Sequence, residues 1–239
     1  MGFWAEGGVS VAADLMAADA DPRRVAAALL DRAVAALPPG VRKVQCRWDA
    51  GYFAGDLAKH CIAREIDFAI GVKRNTAVVA AVRAAAGGGW HPATDMAHTE
   101  VAVIGYLPGP WPADVGICCV ARRTRIPVEL IPTDGRARKL RTIDRPAGVG
   151  VGRQIDHVFG YSFILTNLDV STSARLAEVE HWYRHRTDIE ALNRDAKHGA
   201  ALGGSGFQGS MVVFVCSDPP RPVGSWRRRS PNVPPRLAD

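Results

Sequence analysis

Between Arg42 and Gly89 the chain alternates short apolar runs with segments of helical period, and no other stretch restricts the fold as much. Arg42–Trp48 (RKVQCRW) reads as a strand ending at Asp49. A small turn, AGYFAG, leads into the amphipathic segment DLAKHCIARE. Asp67–Val72 (DFAIGV) reads as a second strand, with Lys73 and Arg74 just past its end. Asn75 and Thr76 can cap an Ala-rich helix that stops at Gly87–Gly89. Strand, helix, strand, helix at this spacing predicts an α/β fold with a parallel sheet. Such sheets bind ligands beyond the C-terminal ends of their strands, which is where Asp49 and Lys73 fall.

The flanks are of other kinds. Gly7–Ala13 has strand character but no earlier segment to pair with. Asp21 and Pro22 read as the N-cap and first residue of a helix through RRVAAALLDRAVAAL, closed by Pro38-Pro39-Gly40. From about Trp90 to Gln154, short strands are expected at Thr99–Leu107, Gly116–Ile126, Val128–Ile131 and Arg138–Ile143, a β-rich insertion. Residues 116–153 hold nine Lys/Arg against three acids, which suits either a solvated strand edge or a phosphate-tracking surface. Tyr161–Leu168 returns the chain to the α/β layer, and a helix is expected from about Ser173 to Lys197. After Gly199 the text is rich in Gly, Ser, Pro and Arg and reads as a disordered tail in which only MVVFVC has strand character. The expected division is 1–89 and 156–202 for the core, 90–155 for the insertion and 203–239 for the tail.

Composition narrows the partners. A 47% hydrophobic content over 239 residues is enough for a real core. A net charge of +6 and a pI near 9.3 suit a polyanion. Five cysteines without a Cys-x-x-Cys pair indicate neither a disulfide framework nor a zinc ribbon, and buried thiols are expected. No signal peptide and no apolar run near ~18 residues is present, so a soluble cytoplasmic protein is expected.

The segment Tyr183–Lys197 (YRHRTDIEALNRDAK) suggests a chemistry most directly. At about 100° per residue, Tyr183, Arg186, Glu190 and Lys197 fall within an arc of roughly 60°. Trp182, His185, Ile189, Leu192 and Ala196 form an adjoining stripe expected to face the core. Taken alone, the polar row is a surface salt-bridge pattern worth ~0.3–0.5 kcal/mol per pair. Set against Asp49, it suggests two carboxylates converging on divalent metal, with Arg186 and Lys197 on phosphate oxygens. His181 and His185, at i and i+4, are a rival metal pair, but no third ligand is evident in the sequence.

Tyr183-x2-Arg186-x3-Glu190-x6-Lys197 matches without a gap the Tyr-Arg-Glu-Lys signature of many bacterial insertion-sequence transposases. WDAGYF around Asp49 resembles their second-aspartate block, and FGYSFILTNL (Phe159–Leu168) resembles their last core strand. Over roughly residues 1–202 the chain thus resembles a DDE transposase with a β-insert in its catalytic domain. The resemblance implies a ribonuclease-H-like core and three acidic residues holding two Mg²⁺ ions, with Mn²⁺ as an alternative. It implies cleavage and strand transfer at transposon ends, with terminal inverted repeats and target DNA as partners, and a possible homodimer on DNA. Asp49 would be the second Asp and Glu190 the Glu, both metal ligands; Tyr183, Arg186 and Lys197 would contact DNA, with Lys73 and Arg74 beside them. A location at the nucleoid would follow.

Both ends depart from that pattern. Only 48 residues precede Asp49, with Asp14, Asp19, Asp21 and Asp31 as candidates for the first Asp. Asp19, Asp21 and Asp31 fall at or in a predicted helix, and Asp14 follows a segment more like a later core strand. The first Asp and its strand are therefore expected to be missing, and the Gly/Pro/Arg-rich end resembles an out-of-frame reading of GC-rich DNA. The expectation is a truncated copy, with a non-catalytic DNA-binding remnant or inhibitor of transposition as the alternative.

Overall fold

The computed structural model describes residues 1–14, 16–17, 19–130, 143–144, 156–185 and 213–216, with 143–144 and 213–216 described by their backbone alone. The chain opens with β1 (Gly2–Trp4) and β2 (Val9–Ala12), an antiparallel pair turned at Gly8 with φ 65°. Gly2–Trp4 is thus the earlier partner that the sequence did not reveal for Gly7–Ala13; three residues are too short a run to show periodicity. Asp21 caps a 3₁₀ turn at Pro22–Arg24, and α1 proper is Ala26–Ala35.

The alternating region follows as read, with shorter elements. It comprises β3 (Gln45–Trp48), a 3₁₀ turn at Ala50–Tyr52, α2 (Gly55–Ala63), β4 (Asp67–Gly71) and α3 (Thr76–Ala84). Asn75 caps α3, its side chain accepting from the Val78 amide at 2.9 Å. Then come β5 (His91–Pro92), β6 (Thr99–Ile104), β7 (Cys118–Pro127), β8 (Ile143–Asp144), β9 (His157–Thr166), α4 (Ser173–Arg184) and β10 (Val213–Cys216). Val128–Leu130, expected to be a strand, is a 3₁₀ turn.

One mixed sheet runs β2-β1-β10-β3-β4-β9-β7-β6-β5, with β8 on β9. The β3–β4 pair is parallel, as the alternation predicts, and so is β1–β10. The expectation of a parallel sheet fails beyond these pairs, because β9 returns antiparallel to β4 and β7 and β6 continue antiparallel from it. Strands expected in the β-rich insertion pair directly with the core sheet, β7 with β9 along ten residues. The one segment of the expected tail with strand character, as β10, lies between β1 and β3.

Alternation along the strands fills two cores, one on each face. Phe68, Ile70, Cys119, Ala121, Phe163 and Leu165 point to the face covered by α1, α2 and α3. Ala69, Val120 and Ile164 point to the other, where α4 brings Leu176, Trp182 and Tyr183. Of the cysteines, Cys46, Cys61 and Cys119 are buried, and none of the four described is in a disulfide. Burial pushes the Cys119 thiol up to about 12, so it stays protonated. No helix among the described residues is long and apolar enough to cross a membrane.

Candidate active site

The centre of the site is the C-terminal end of β3. Gln45–Trp48 is buried throughout, and Cys46 and Trp48 face α1–α3. By alternation, Gln45 and Arg47 face α4, and the extended backbone of Asp49 (φ −72°, ψ 172°) continues that direction. Asp49 then caps the 3₁₀ turn, Oδ1 accepting from the Gly51 amide at 2.6 Å. The register pairs Trp48 with Ile70, so Asp49 stands level with Gly71, and exposed Lys73 and Arg74 lie just beyond on the neighbouring strand. Asp49, Lys73 and Arg74 therefore share one end of the parallel pair.

α4 is held over this end by buried polar contacts. The Arg47 guanidinium donates to the Trp182 carbonyl and lies 4.9 Å from the centre of the Trp182 ring. The Tyr183 hydroxyl donates to the Trp48 carbonyl at 3.0 Å, and Tyr183 is 8% exposed. Glu180, 1% exposed, accepts from Arg122 on β7 at 2.6 Å and from Arg184 at 3.3 Å. Arg184 also reaches the Thr94 carbonyl at 2.6 Å. Tyr52, in the turn after Asp49, packs its ring 5.3 Å from Trp48. Burial first, and then the Asp49 charge, push its hydroxyl far above the usual tyrosine range, so it stays protonated.

Two residues of the predicted helix take sides other than those expected. Tyr183, placed in the polar row, is buried; His185, placed on the core stripe, is exposed at the end of α4. The observed core face of α4 is Leu176, Val179, Glu180, Trp182 and Tyr183, a stripe of i, i+3, i+4, i+7 spacing plus one neighbour. Arg186, Glu190 and Lys197 lie outside the described residues. Arg47 and Glu180 were not singled out in the sequence. The signal was there for both: an arginine inside a short apolar strand, and a glutamate on the apolar stripe of a helix.

The histidine pair sits at the solvent side of α4. His181 Nε2 is 3.3 Å from Asp95, and His185 Nδ1 is 2.7 Å from the His181 carbonyl. Burial, then the charges of His185 and Arg184, hold the His181 imidazole below its usual range. Among the described residues no group of three His, Cys, Asp or Glu could hold a metal, so the pair gains no third ligand there. Asp14, the remaining candidate for a further carboxylate, follows β2 at the same end of the sheet as Asp49, since β2 runs parallel to β3 through the intervening pairings. Three strand spacings of about 4.8 Å nonetheless set it ~14 Å to the side, and Arg32 holds its Oδ1 at 2.5 Å.

A family model described as "Transposase DDE domain" matches residues 2–203. The chain belongs to this transposase family. The match runs from β1 through α4 and takes in β3, β4, β6, β7 and β9, while β10 lies beyond it. No curated protein and no solved structure matches the chain.

Proposed function

We propose that this transposase domain is the catalytic part of a bacterial insertion-sequence transposase with a ribonuclease-H-like core, cutting DNA at transposon ends and joining it to target DNA. The observation that carries the reading is the position of Asp49, at the C-terminal end of a parallel strand pair, facing the helix that leads in sequence to Glu190. A carboxylate there, held by the Gly51 amide, suits a hard cation with oxygen ligands such as Mg²⁺ or Mn²⁺. Asp49 and Glu190 would hold the two ions, which supply charge neutralisation at the attacked phosphodiester when bound.

The chain's cations do the rest. Lys73 and Arg74, exposed beside Asp49, would bind backbone phosphates of the transposon end. Arg186 would take a phosphate as a fork and Lys197 as a point charge. A homodimer on DNA would bring two ends together, and chromosomal target DNA would place the protein at the nucleoid.

The test is a cleavage and strand-transfer assay with the 239-residue chain and duplexes bearing the element's terminal repeats, with Mg²⁺ and with Mn²⁺. Product that depends on metal and disappears in both Asp49→Asn and Glu190→Gln is the expected result. Undiminished product in Asp49→Asn would falsify the assignment of Asp49. A second reading, a non-catalytic DNA-binding remnant, is favoured by the ~14 Å between Asp14 and Asp49. It predicts duplex binding that weakens steeply with salt and survives both substitutions, with no cleavage under any metal.

A further inference from the structure

Tyr183 is assigned to DNA by the signature it belongs to, yet its hydroxyl is turned inward. Its ring lies in the core between α4 and the sheet, and only 8% of the residue is exposed. The hydroxyl meets the backbone at the ends of β3 and β4. It donates to the Trp48 carbonyl at 3.0 Å. A Cβ added at Gly71 would lie 2.5 Å from the same oxygen and 2.9 Å from the Ala50 amide nitrogen. Gly71 thus leaves the space that the hydroxyl occupies.

The Trp48 carbonyl and the Asp49 N–H belong to one rigid peptide plane. A hydrogen bond to that carbonyl therefore limits how the Asp49 backbone can rotate, and with it the direction of the carboxylate. The Gly51 amide on Oδ1 fixes the other end of the same residue. Arg47, two residues before Asp49, donates to the carbonyl of Trp182, the neighbour of Tyr183, so a second buried contact holds the tyrosine at this point.

We propose that Tyr183 is a positioning residue for Asp49: through the Trp48 carbonyl its hydroxyl holds the carboxylate in its metal-binding direction. The proposal rests on Asp49 being a metal ligand. It goes beyond that assignment by giving α4 a hold, through the Trp48 carbonyl, on the carboxylate at the end of β3.

The experiment compares the full chain with Tyr183→Phe, which keeps the ring, with Gly71→Ala, which crowds the hydroxyl from the β4 side, and with Asp49→Asn. Three quantities are measured: hydrogen exchange at the Gly51 amide by NMR, binding of Mn²⁺ alone by the loss of its free EPR signal, and affinity for a duplex oligonucleotide. Tyr183→Phe is expected to speed exchange at Gly51 while protection along β7 stays unchanged. It is expected to weaken Mn²⁺ binding about tenfold, as loss of a group that orients a ligand does, and to leave duplex affinity within about twofold, since the hydroxyl is engaged by the Trp48 carbonyl. Gly71→Ala is expected to reproduce the first two effects. Unchanged Gly51 exchange in Tyr183→Phe overturns the proposal, as does a fall in duplex affinity with Mn²⁺ binding intact. Mn²⁺ binding that ignores Asp49→Asn overturns the metal assignment instead, and Gly51 exchange still decides the link between Tyr183 and Asp49.

Discussion

Glu180 is the most deeply buried charge near the site, and two arginines share one of its oxygens. The other oxygen has no hydrogen-bond partner among the described residues. Removing the carboxylate would leave Arg122 and Arg184 facing each other over the second core. Breaking a buried pair costs about 3–5 kcal/mol. Both arginine side chains keep some contact with water, 25% and 22% exposed, which favours the lower end of that range. Glu180→Ala is therefore expected to lower unfolding stability by about 3 kcal/mol in urea titrations, and Glu180→Gln by less because the amide can still accept a hydrogen bond. Residue types told only part of this. Asp49 could be read directly, because a strand end followed by a turn is a local pattern. Tyr183 could not, because neighbouring stripes on one helix differ by less than the width of a core-facing surface. What buries the tyrosine is the carbonyl of a residue 135 positions away.

At the scale of elements, caps and periods carried over well while pairings did not. Asn75 caps α3 as its sequence implies, β3 and β4 fall inside their expected spans, and α2 starts one residue before its own. The position of β10 is of another kind. Phe214 pairs with Arg47 on one side and Phe3 on the other, so this short strand closes the ladder beside the site strand. A central strand has both its edges committed, and proline there removes a ladder donor. Val215→Pro is expected to destabilise the domain by at least about 1–3 kcal/mol, the cost of an unpaired buried backbone group. It should also raise hydrogen exchange at Cys46 and Arg47. Equal stability and unchanged exchange would show that β3 does not depend on this neighbour.

For the whole molecule, the continuous sheet has a thermodynamic consequence. β6 and β7 were expected in an insertion with its own character, but they share both cores with β4 and β9. Trp48 belongs to the first core and Trp182 to the second, while Trp90 borders the β9 strand through Tyr161. A single cooperative unit is therefore expected. Unfolding followed by tryptophan fluorescence and by far-ultraviolet circular dichroism should give coincident midpoints. Two separated transitions would mean that the β6–β7 region folds independently.

The amino-acid sequence alone determined the strand–helix alternation, the caps, the place of Asp49 at a strand end, and the resemblance to a DDE transposase, a family membership that the family match then bore out. These depend on neighbours within a turn or two of the chain, where periodicity and capping chemistry act. The tertiary structure alone decided that Tyr183 is buried, that Arg47 and Glu180 hold α4 over the sheet, and that strands from three regions of the chain join one mixed sheet. Those outcomes depend on which distant backbone group or charge meets each side chain, and long-range pairing, not local pattern, settles that.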